Sequence, residues 1–249
     1  AAAGGYLNFK AKSEWLAQNV MSMDLTPGNT SVLIEHTSAN PNGPFHVGRA
    51  RNAILGDTLV RLNRLYGNQV RAEYYVDDMG KQVGVLAWAL ANLSKEQVDD
   101  ILNDADNINP RWAGKKDHET VRWYQAAQSI RSNEGAEDIE DAIGKLVHAS
   151  EHGDDVVLAQ FEQAYKPVLD GMLETLSRLG IEFDTFTKES EFVVNGTVSA
   201  LMERLESLEI HGVADNGAHF LDLGQRGLKG KTDFFYRRGD GSSLYATRD

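Results

Sequence analysis

Residues 32–49 read Val32-Leu33-Ile34-Glu35-His36-Thr37-Ser38-Ala39-Asn40-Pro41-Asn42-Gly43-Pro44-Phe45-His46-Val47-Gly48-Arg49, and this stretch decides the fold. The aliphatic run at 32–34 is typical of a buried parallel strand. The Asn, Pro and Gly residues at 40–44 exclude regular structure and predict a turn. From residue 45 apolar residues recur at helical spacing, which predicts a helix over 45–66.

A helix that begins in such a turn presents free backbone N–H groups and the positive end of its dipole, which suits a phosphate. His46 stands at the predicted N-terminus, where its ring offers a further N–H donor. Gly48, one turn on, leaves no side chain between the helix backbone and a flat base. These features predict a nucleotide site.

Residues 70–76 are predicted to form the next strand, so a strand, a helix and a strand follow in order. That order predicts a right-handed βαβ unit with a parallel sheet. Asp77 and Asp78 come directly after the second strand, where open parallel sheets bind ligands. Their carboxylates suit an ammonium group, a ribose or Mg²⁺, but are also typical of a helix cap. From position alone the cap is the favoured interpretation.

Several segments carry a resemblance to one known family. His46-Val47-Gly48-Arg49 resembles the His-x-Gly-His signature of class I aminoacyl-tRNA synthetases. The longer pattern resembles arginyl-tRNA synthetase in particular; its residues are Glu35, Ser38, Asn40, Pro41, Pro44, His46 and Gly48. Further similar segments follow in the family's order at 78–82, 179–184 and 240–249.

The resemblance implies an α/β fold, a Rossmann-like parallel-sheet nucleotide-binding fold interrupted by a helical insertion and a small α+β insertion. The predicted parts follow the chain in order. They are an N-terminal linker remnant (1–29), the first part of the catalytic fold (30–82), a mostly helical insertion (83–155), the continued catalytic fold (156–190), the α+β insertion (191–242) and a truncated catalytic strand (243–249).

The activity implied by the resemblance is that of an arginine–tRNA ligase. Such an enzyme activates L-arginine with ATP to arginyl-adenylate and transfers it to tRNA(Arg), with Mg²⁺ bound mainly through the phosphates. The implied catalytic residues are His46 and Arg49. The implied ATP-binding residues are Pro44, His46, Gly48 and Arg49. The implied arginine-binding residues are Glu35, Ser38, Asn40, Asp78, Gln82, Tyr245 and Asp249.

A guanidinium is planar, always charged and offers only donors, so a selective pocket needs carboxylates in its plane. Two positions depart from the family's pattern. Arg49 replaces the second histidine of the signature, and Gly43 stands where some members have a lysine for the phosphates. The second signature does not occur in the chain. We therefore expect an excised fragment, inactive alone.

Helical patterns are predicted at 11–20, 83–93, 118–132, 139–147, 156–179 and 198–208. Residues 94–114 are predicted to be a loop, and Pro167 is expected to kink the long helix or restart it. Short antiparallel strands are predicted near 213, 218–223 and 234–236, and a strand of the main sheet at 245–247. His118, His148 and His152 form no ligand set, so no metal site is expected.

The 249-residue chain contains no cysteine and has a formal net charge of −12. Its acidity disfavours non-specific nucleic-acid binding, and solubility explains most of the charge. No apolar run approaches a membrane span and no signal peptide is apparent, so we expect a cytoplasmic monomer without membrane partners. Two competing classes remain: a non-catalytic paralogue or amino-acid-binding module, and a nucleotidyltransferase that forms a dinucleotide cofactor.

Overall fold

The computed structural model describes residues 2–3, 6–7, 10–21, 28–103, 113–133 and 135–248, with the backbone alone at 2–3, 6–7, 20–21 and 245–246. The strands are β1 (Ala2–Ala3), β2 (Tyr6–Leu7), β3 (Ser31–Glu35), β4 (Gln69–Val76), β5 (Thr185–Lys188), β6 (His211–Val213), β7 (His219–Asp222) and β8 (Asp233–Arg237). The helices are α1 (Ser13–Met21), α2 (Val47–Leu65), α3 (Gly80–Asn92), α4 (Lys95–Leu102), α5 (Lys116–Arg131), α6 (Glu137–Glu151), α7 (Asp155–Arg178), α8 (Glu189–Val194), α9 (Thr197–Glu206) and α10 (Tyr245–Arg248).

The central sheet has the order β3-β4-β5. Both strand pairs are parallel, with Glu35 beside Glu73 and Val76 beside Lys188. The predicted βαβ unit, β3-α2-β4, is therefore confirmed. Because the strands are parallel, the residues that follow β3, β4 and β5 share one edge of the sheet.

The main core lies between β4 and the helices α3 and α7. Tyr74, Phe161 and Met172 are fully buried in it. The ring of Tyr74 meets that of Phe183 edge-on at 5.1 Å, and its hydroxyl donates to the Ala39 carbonyl at 2.8 Å. The hydrophobic core thus holds the turn that follows β3 through one buried hydrogen bond.

The helices α3 to α6 lie between β4 and α7 in the chain, and Val85, Ala127 and Ile143 form their own apolar cluster. The loop predicted over 94–114 is wrong at 95–102, which is helix α4. Its start is fixed by a capping box, in which Ser94 and Gln97 satisfy each other's backbone N–H. Val98 is fully buried, so packing supports this short helix.

The long helix α7 confirms the predicted helix over 156–179, with Pro167 inside it. Proline removes one helical hydrogen bond and crowds the preceding turn. A restart of the helix at Pro167 is nevertheless wrong, because one helix spans Asp155–Arg178. Ala164 and Val168, on either side of the proline, are buried in the main core.

The strands β6-β7-β8 form the predicted small antiparallel sheet. The strand predicted at 245–247 is wrong, because these residues begin helix α10. Two groups donate hydrogen bonds to the Tyr236 carbonyl: the backbone N–H of Leu244, at 3.0 Å, and the hydroxyl of Thr247. The chain is turned by these bonds at the end of β8, so α10 packs beside that strand.

Helix α2 buries a narrow face of small residues, Ala53, Gly56 and Val60. The larger apolar side chains that identified the helix in the sequence are exposed instead, as Ile54, Leu62 and Leu65 show. The narrow face is required because a Cβ added at Gly56 would lie 2.3 Å from the Cβ of His36. Glycine therefore allows α2 to approach the end of β3.

This close approach predicts an unusual response to alanine. In a helix interior Gly→Ala stabilises by about 1 kcal/mol, whereas overpacking costs about 1–3 kcal/mol. We expect Gly56→Ala to lower the free energy of unfolding in urea. Gly144 on α6 is the matched control, since nothing lies within 4 Å of a Cβ added there. Gly144→Ala should raise the free energy of unfolding, and equal effects of the two changes would contradict this packing.

Candidate active site

The turn after β3 is tied to the ends of its neighbours by side chains that the sequence singled out. Asn40 donates its amide to the Gln82 side-chain oxygen at 3.1 Å, and Asn42 donates to the same oxygen at 2.6 Å. The Ser38 hydroxyl donates to the Tyr75 carbonyl at 3.3 Å. Three predicted arginine-binding residues, Ser38, Asn40 and Gln82, are therefore brought to one edge of the sheet.

Thr37 begins this turn in the left-handed region, with φ of +65°. A β-branched residue in this conformation costs of order 1–3 kcal/mol, and such residues cluster at functional sites. The Thr37 hydroxyl lies 2.8 Å from His36 Nδ1. Burial lowers the pKa of His36, so its ring is held neutral beside Thr37.

His46 is the N-cap of α2. Its Nδ1 accepts a hydrogen bond from the Gly48 N–H at 3.1 Å, so the neutral ring carries its proton on Nε2. A Cβ at Gly48 would lie 3.0 Å from the His46 ring, which gives the glycine a second role. Arg49 donates to the Asn40 carbonyl at 3.2 Å and joins the helix to the turn.

Glu35 ends the edge strand β3 with an exposed side chain. The residue beside it on β4, Glu73, is buried and accepts a hydrogen bond from the Thr185 hydroxyl at 3.2 Å. The carboxylate of Glu35 has no hydrogen bond or ion pair with a described residue. Its exposed carboxylate is therefore available to a cationic ligand.

Asp78 is buried, and both of its carboxylate oxygens face Ser190 at the start of α8. One accepts from the Ser190 N–H at 2.9 Å and the other from its hydroxyl at 2.7 Å. Burial raises the pKa of Asp78, and these two bonds oppose the rise. The cap interpretation is wrong, because the N-cap of α3 is Met79. Asp78 instead joins the ends of β4 and β5.

Arg248 makes several contacts at this edge, and the sequence analysis matched its segment to the family without assigning Arg248 a role. Its Nε lies 2.7 Å from Oε1 of Glu189, with side-chain exposures of 4% and 1%. Its Nη1 lies 3.6 Å from Oε1 of Glu151. Tyr75 donates its hydroxyl to the Arg248 carbonyl at 2.9 Å. Residues of β4, α6 and α8 therefore meet at Arg248.

The two carboxylates beside Arg248 are strongly desolvated. Burial raises the pKa of Glu189 to about 8, Arg248 opposes this rise, and a hydrogen bond to Asp77 adds to it. Burial also raises the pKa of Glu151, against the charges of Arg248 and Arg238. Arg248 therefore favours the ionised form of both acids and opposes the effect of burial.

Two predicted arginine-binding residues cannot be placed by their side chains. Tyr245 is described by its backbone alone, as the first residue of α10, and Asp249 lies outside the described residues. The backbone position is still informative. Tyr75 lies two residues beyond Glu73, the partner of Glu35, and it bonds to Arg248. The end of α10 therefore lies at the edge of the sheet where β3 ends.

A cleft of about 710 Å³ lies between α3, α6 and the turn after β8. Lys81 in its lining is paired with Glu140 at 2.7 Å. Arg131 and Lys81 lower the pKa of Glu140 to about 2. Within the described ranges no three His, Cys, Asp or Glu residues are placed to hold a metal ion, and no helix is long and apolar enough to cross a membrane.

Parallel strands that end at a capped helix N-terminus, with amides and carboxylates beside it, define an α/β nucleotide-binding domain. The family described as class I tRNA synthetases (R), catalytic domain, matches residues 12–249. The chain belongs to this family. That assignment decides against a nucleotidyltransferase that forms a dinucleotide cofactor.

Known proteins agree with this assignment. An arginine–tRNA ligase of Methanocella arvoryzae is 37% identical and covers 100% of this chain, and one of Methanothermobacter thermautotrophicus is 38% identical over 90% of it. The structure of Thermus thermophilus arginyl-tRNA synthetase matches with a TM-score of 0.63 at 26% identity, over 99% of this chain and 40% of that one. The chain spans 43% and 36% of the lengths of the two ligases.

The Asp78–Ser190 contact predicts an asymmetric loss of stability. Asp78→Ala leaves both the N–H and the hydroxyl of Ser190 without an acceptor, whereas Ser190→Ala removes the hydroxyl alone. An orphaned buried donor costs about 1–3 kcal/mol, so Asp78→Ala should lower the free energy of unfolding more than Ser190→Ala does. A double-mutant cycle in urea should give a coupling energy of about 1 kcal/mol. Equal single losses with no coupling would contradict the geometry.

Proposed function

We propose that this chain is part of an arginine–tRNA ligase, which activates L-arginine with ATP and transfers it to tRNA(Arg). One observation carries the proposal: the family match spans residues 12–249. Hydrogen bonds from Asn40 in the turn after β3 to Gln82 of α3, and from Arg49 of α2 to the Asn40 carbonyl, support it. The competing function is that of a paralogue that binds arginine without catalysis.

In this proposal the arginine pocket is formed at the edge of the sheet beyond β3. Glu35 supplies an exposed carboxylate, and the segment from Tyr245 to Asp249 supplies further phenolic and acidic groups. A carboxylate pairs with a guanidinium or an ammonium through charge-assisted hydrogen bonds, and only the guanidinium can make two of them in one plane. Asn40 is assigned to the α-amino or carboxylate group of the substrate.

The first reaction step forms a bond between an arginine carboxylate oxygen and the α-phosphorus of ATP, and pyrophosphate leaves. Charge on the phosphate oxygens needs stabilisation more than proton transfer does. His46 Nε2–H and the N-terminus of α2 supply donors for these oxygens, and Arg49 supplies a cation. Pro44 and Gly48 are assigned to the nucleotide. In the second step the adenylate esterifies the terminal ribose of the tRNA, and AMP leaves.

Mg²⁺ is assigned to the triphosphate, which commonly carries it into such sites with few protein ligands. We expect the whole protein to act as a monomer in the cytoplasm, where ATP and tRNA are available. The chain alone is expected to be inactive or nearly so.

The function is tested by arginine-dependent exchange of pyrophosphate into ATP in the full-length protein, with tRNA(Arg) present. Glu35→Ala should abolish arginine binding in calorimetry, because the cation loses an essential carboxylate. Glu174→Ala is the matched control, since Glu174 is an exposed glutamate on α7. Unchanged arginine affinity in Glu35→Ala would show that the pocket is misassigned.

The same assay separates the two candidate functions. Arginine binding without exchange in the wild-type protein would favour the non-catalytic paralogue. Exchange that requires arginine would exclude it.

His46 is predicted to act in catalysis beyond capping α2. His46→Ala loses the cap, worth about 1 kcal/mol, and the ring donor. His46→Asn keeps a side-chain acceptor for the helix but removes Nε2–H. Both variants should lower kcat of exchange about 100-fold with little change in the KM for arginine, as is typical of a lost transition-state donor. Full activity in His46→Asn would reduce the role of His46 to capping.

A further inference from the structure

Arg248 is enclosed by parts of the chain that lie far apart in sequence. Its guanidinium lies between Glu189 of α8, at 2.7 Å, and Glu151 at the end of α6, at 3.6 Å. Its carbonyl accepts the hydroxyl of Tyr75 from β4. The side chain is buried, so it points into the protein and away from solvent.

The backbone on either side of Arg248 carries the residues assigned to the substrate. Helix α10 begins with Tyr245, and residue 249 follows Arg248 directly. A four-residue helix has too few internal hydrogen bonds to be stable by itself. Its position is therefore set by its external contacts, which include the ion pairs of Arg248, the Tyr75 hydroxyl and the Thr247 bond to Tyr236.

We propose that Arg248 is a positioning residue for arginine binding, and that Glu151 acts with it from the end of α6. The inference rests on the proposed function. Arg248 does not contact the substrate in this account. It fixes the backbone of residues 245–248, and Glu151 fixes the direction of its guanidinium. Helix α6, which lies between β4 and α7 in the chain, thereby supports the amino-acid pocket.

The contacts of Arg248 favour this role over a purely structural one. The ion pairs of Arg248 act on helix α10, which has four residues. Replacing a buried ion pair with apolar residues is often neutral for stability, so burial of these charges alone gives weak stabilisation. Arg248 follows Tyr245 by three residues and directly precedes Asp249 in the chain, so anchoring Arg248 would position both. Small displacements of a positioned group can cost up to about 100-fold in activity.

The test uses the full-length protein with Arg248→Lys, Glu151→Gln and the double variant. Lysine keeps the charge but loses the planar fork, and glutamine keeps the shape but loses the charge. We expect Arg248→Lys to raise the KM for arginine about tenfold, and Glu151→Gln to raise it about threefold, with the KM for ATP within about twofold of wild type. Arg226→Lys, an exposed arginine of the small sheet region, is the control and should change neither constant.

The double variant separates positioning from general loss of stability. Because both residues act through one guanidinium, the double variant should raise the KM for arginine no more than Arg248→Lys alone. A structural role would instead lower the midpoint of thermal unfolding without a selective change in the arginine KM, and that result would overturn the inference. If Arg248→Lys fails to fold, Glu151→Gln alone decides, and an unchanged arginine KM contradicts the inference. Absence of exchange in the wild-type protein would refute the proposed function itself.

Discussion

The arrangement of this site depends on the ion pairs of the buried Arg248 guanidinium. The guanidinium favours the ionised forms of Glu189 and Glu151, whose pKa values are raised by burial. One cation therefore acts on carboxyl groups from two helices, and loss of it would raise the pKa values of both further. The same residue sets the position of α10, which packs beside β8 and contacts α8 and α9. The small antiparallel sheet, the helical region and the central sheet are thereby joined at helix α10.

A second constraint acts at the opposite end of the chain. The turn after β3 has a strained residue, Thr37, and it is held by the core through Tyr74 and by α3 through Gln82. Helix α2 reaches this turn because Gly56 removes a side chain at the contact with His36. Close packing thus orients the helix N-terminus and His46. The turn after β3 and helix α10 are held by different physical means: close packing and hydrogen bonds hold the turn, and buried ion pairs contribute to holding the helix.

The sequence predicted the parallel βαβ unit, the position of α2 and the antiparallel strands, because each has a clear local pattern of hydrophobicity and turn residues. The family resemblance also assigned Ser38, Asn40 and Gln82 to one pocket, and the structure places them at one edge of the sheet. Prediction from the sequence failed where non-local contacts decide the structure. The helix over 245–248 in place of a strand depends on bonds to Tyr236 and on the burial of Arg248. Helix α8 was not predicted, because its start is fixed by Asp78, more than a hundred residues earlier.

The most direct measurement is a crystal structure of the full-length protein with L-arginine bound. The account predicts that the substrate guanidinium or ammonium contacts Glu35, that residues 245–249 line the same pocket, and that Arg248 keeps its contact with Glu189. Arginine bound away from both Glu35 and residues 245–249, or Arg248 withdrawn from Glu189 in the complex, would contradict it.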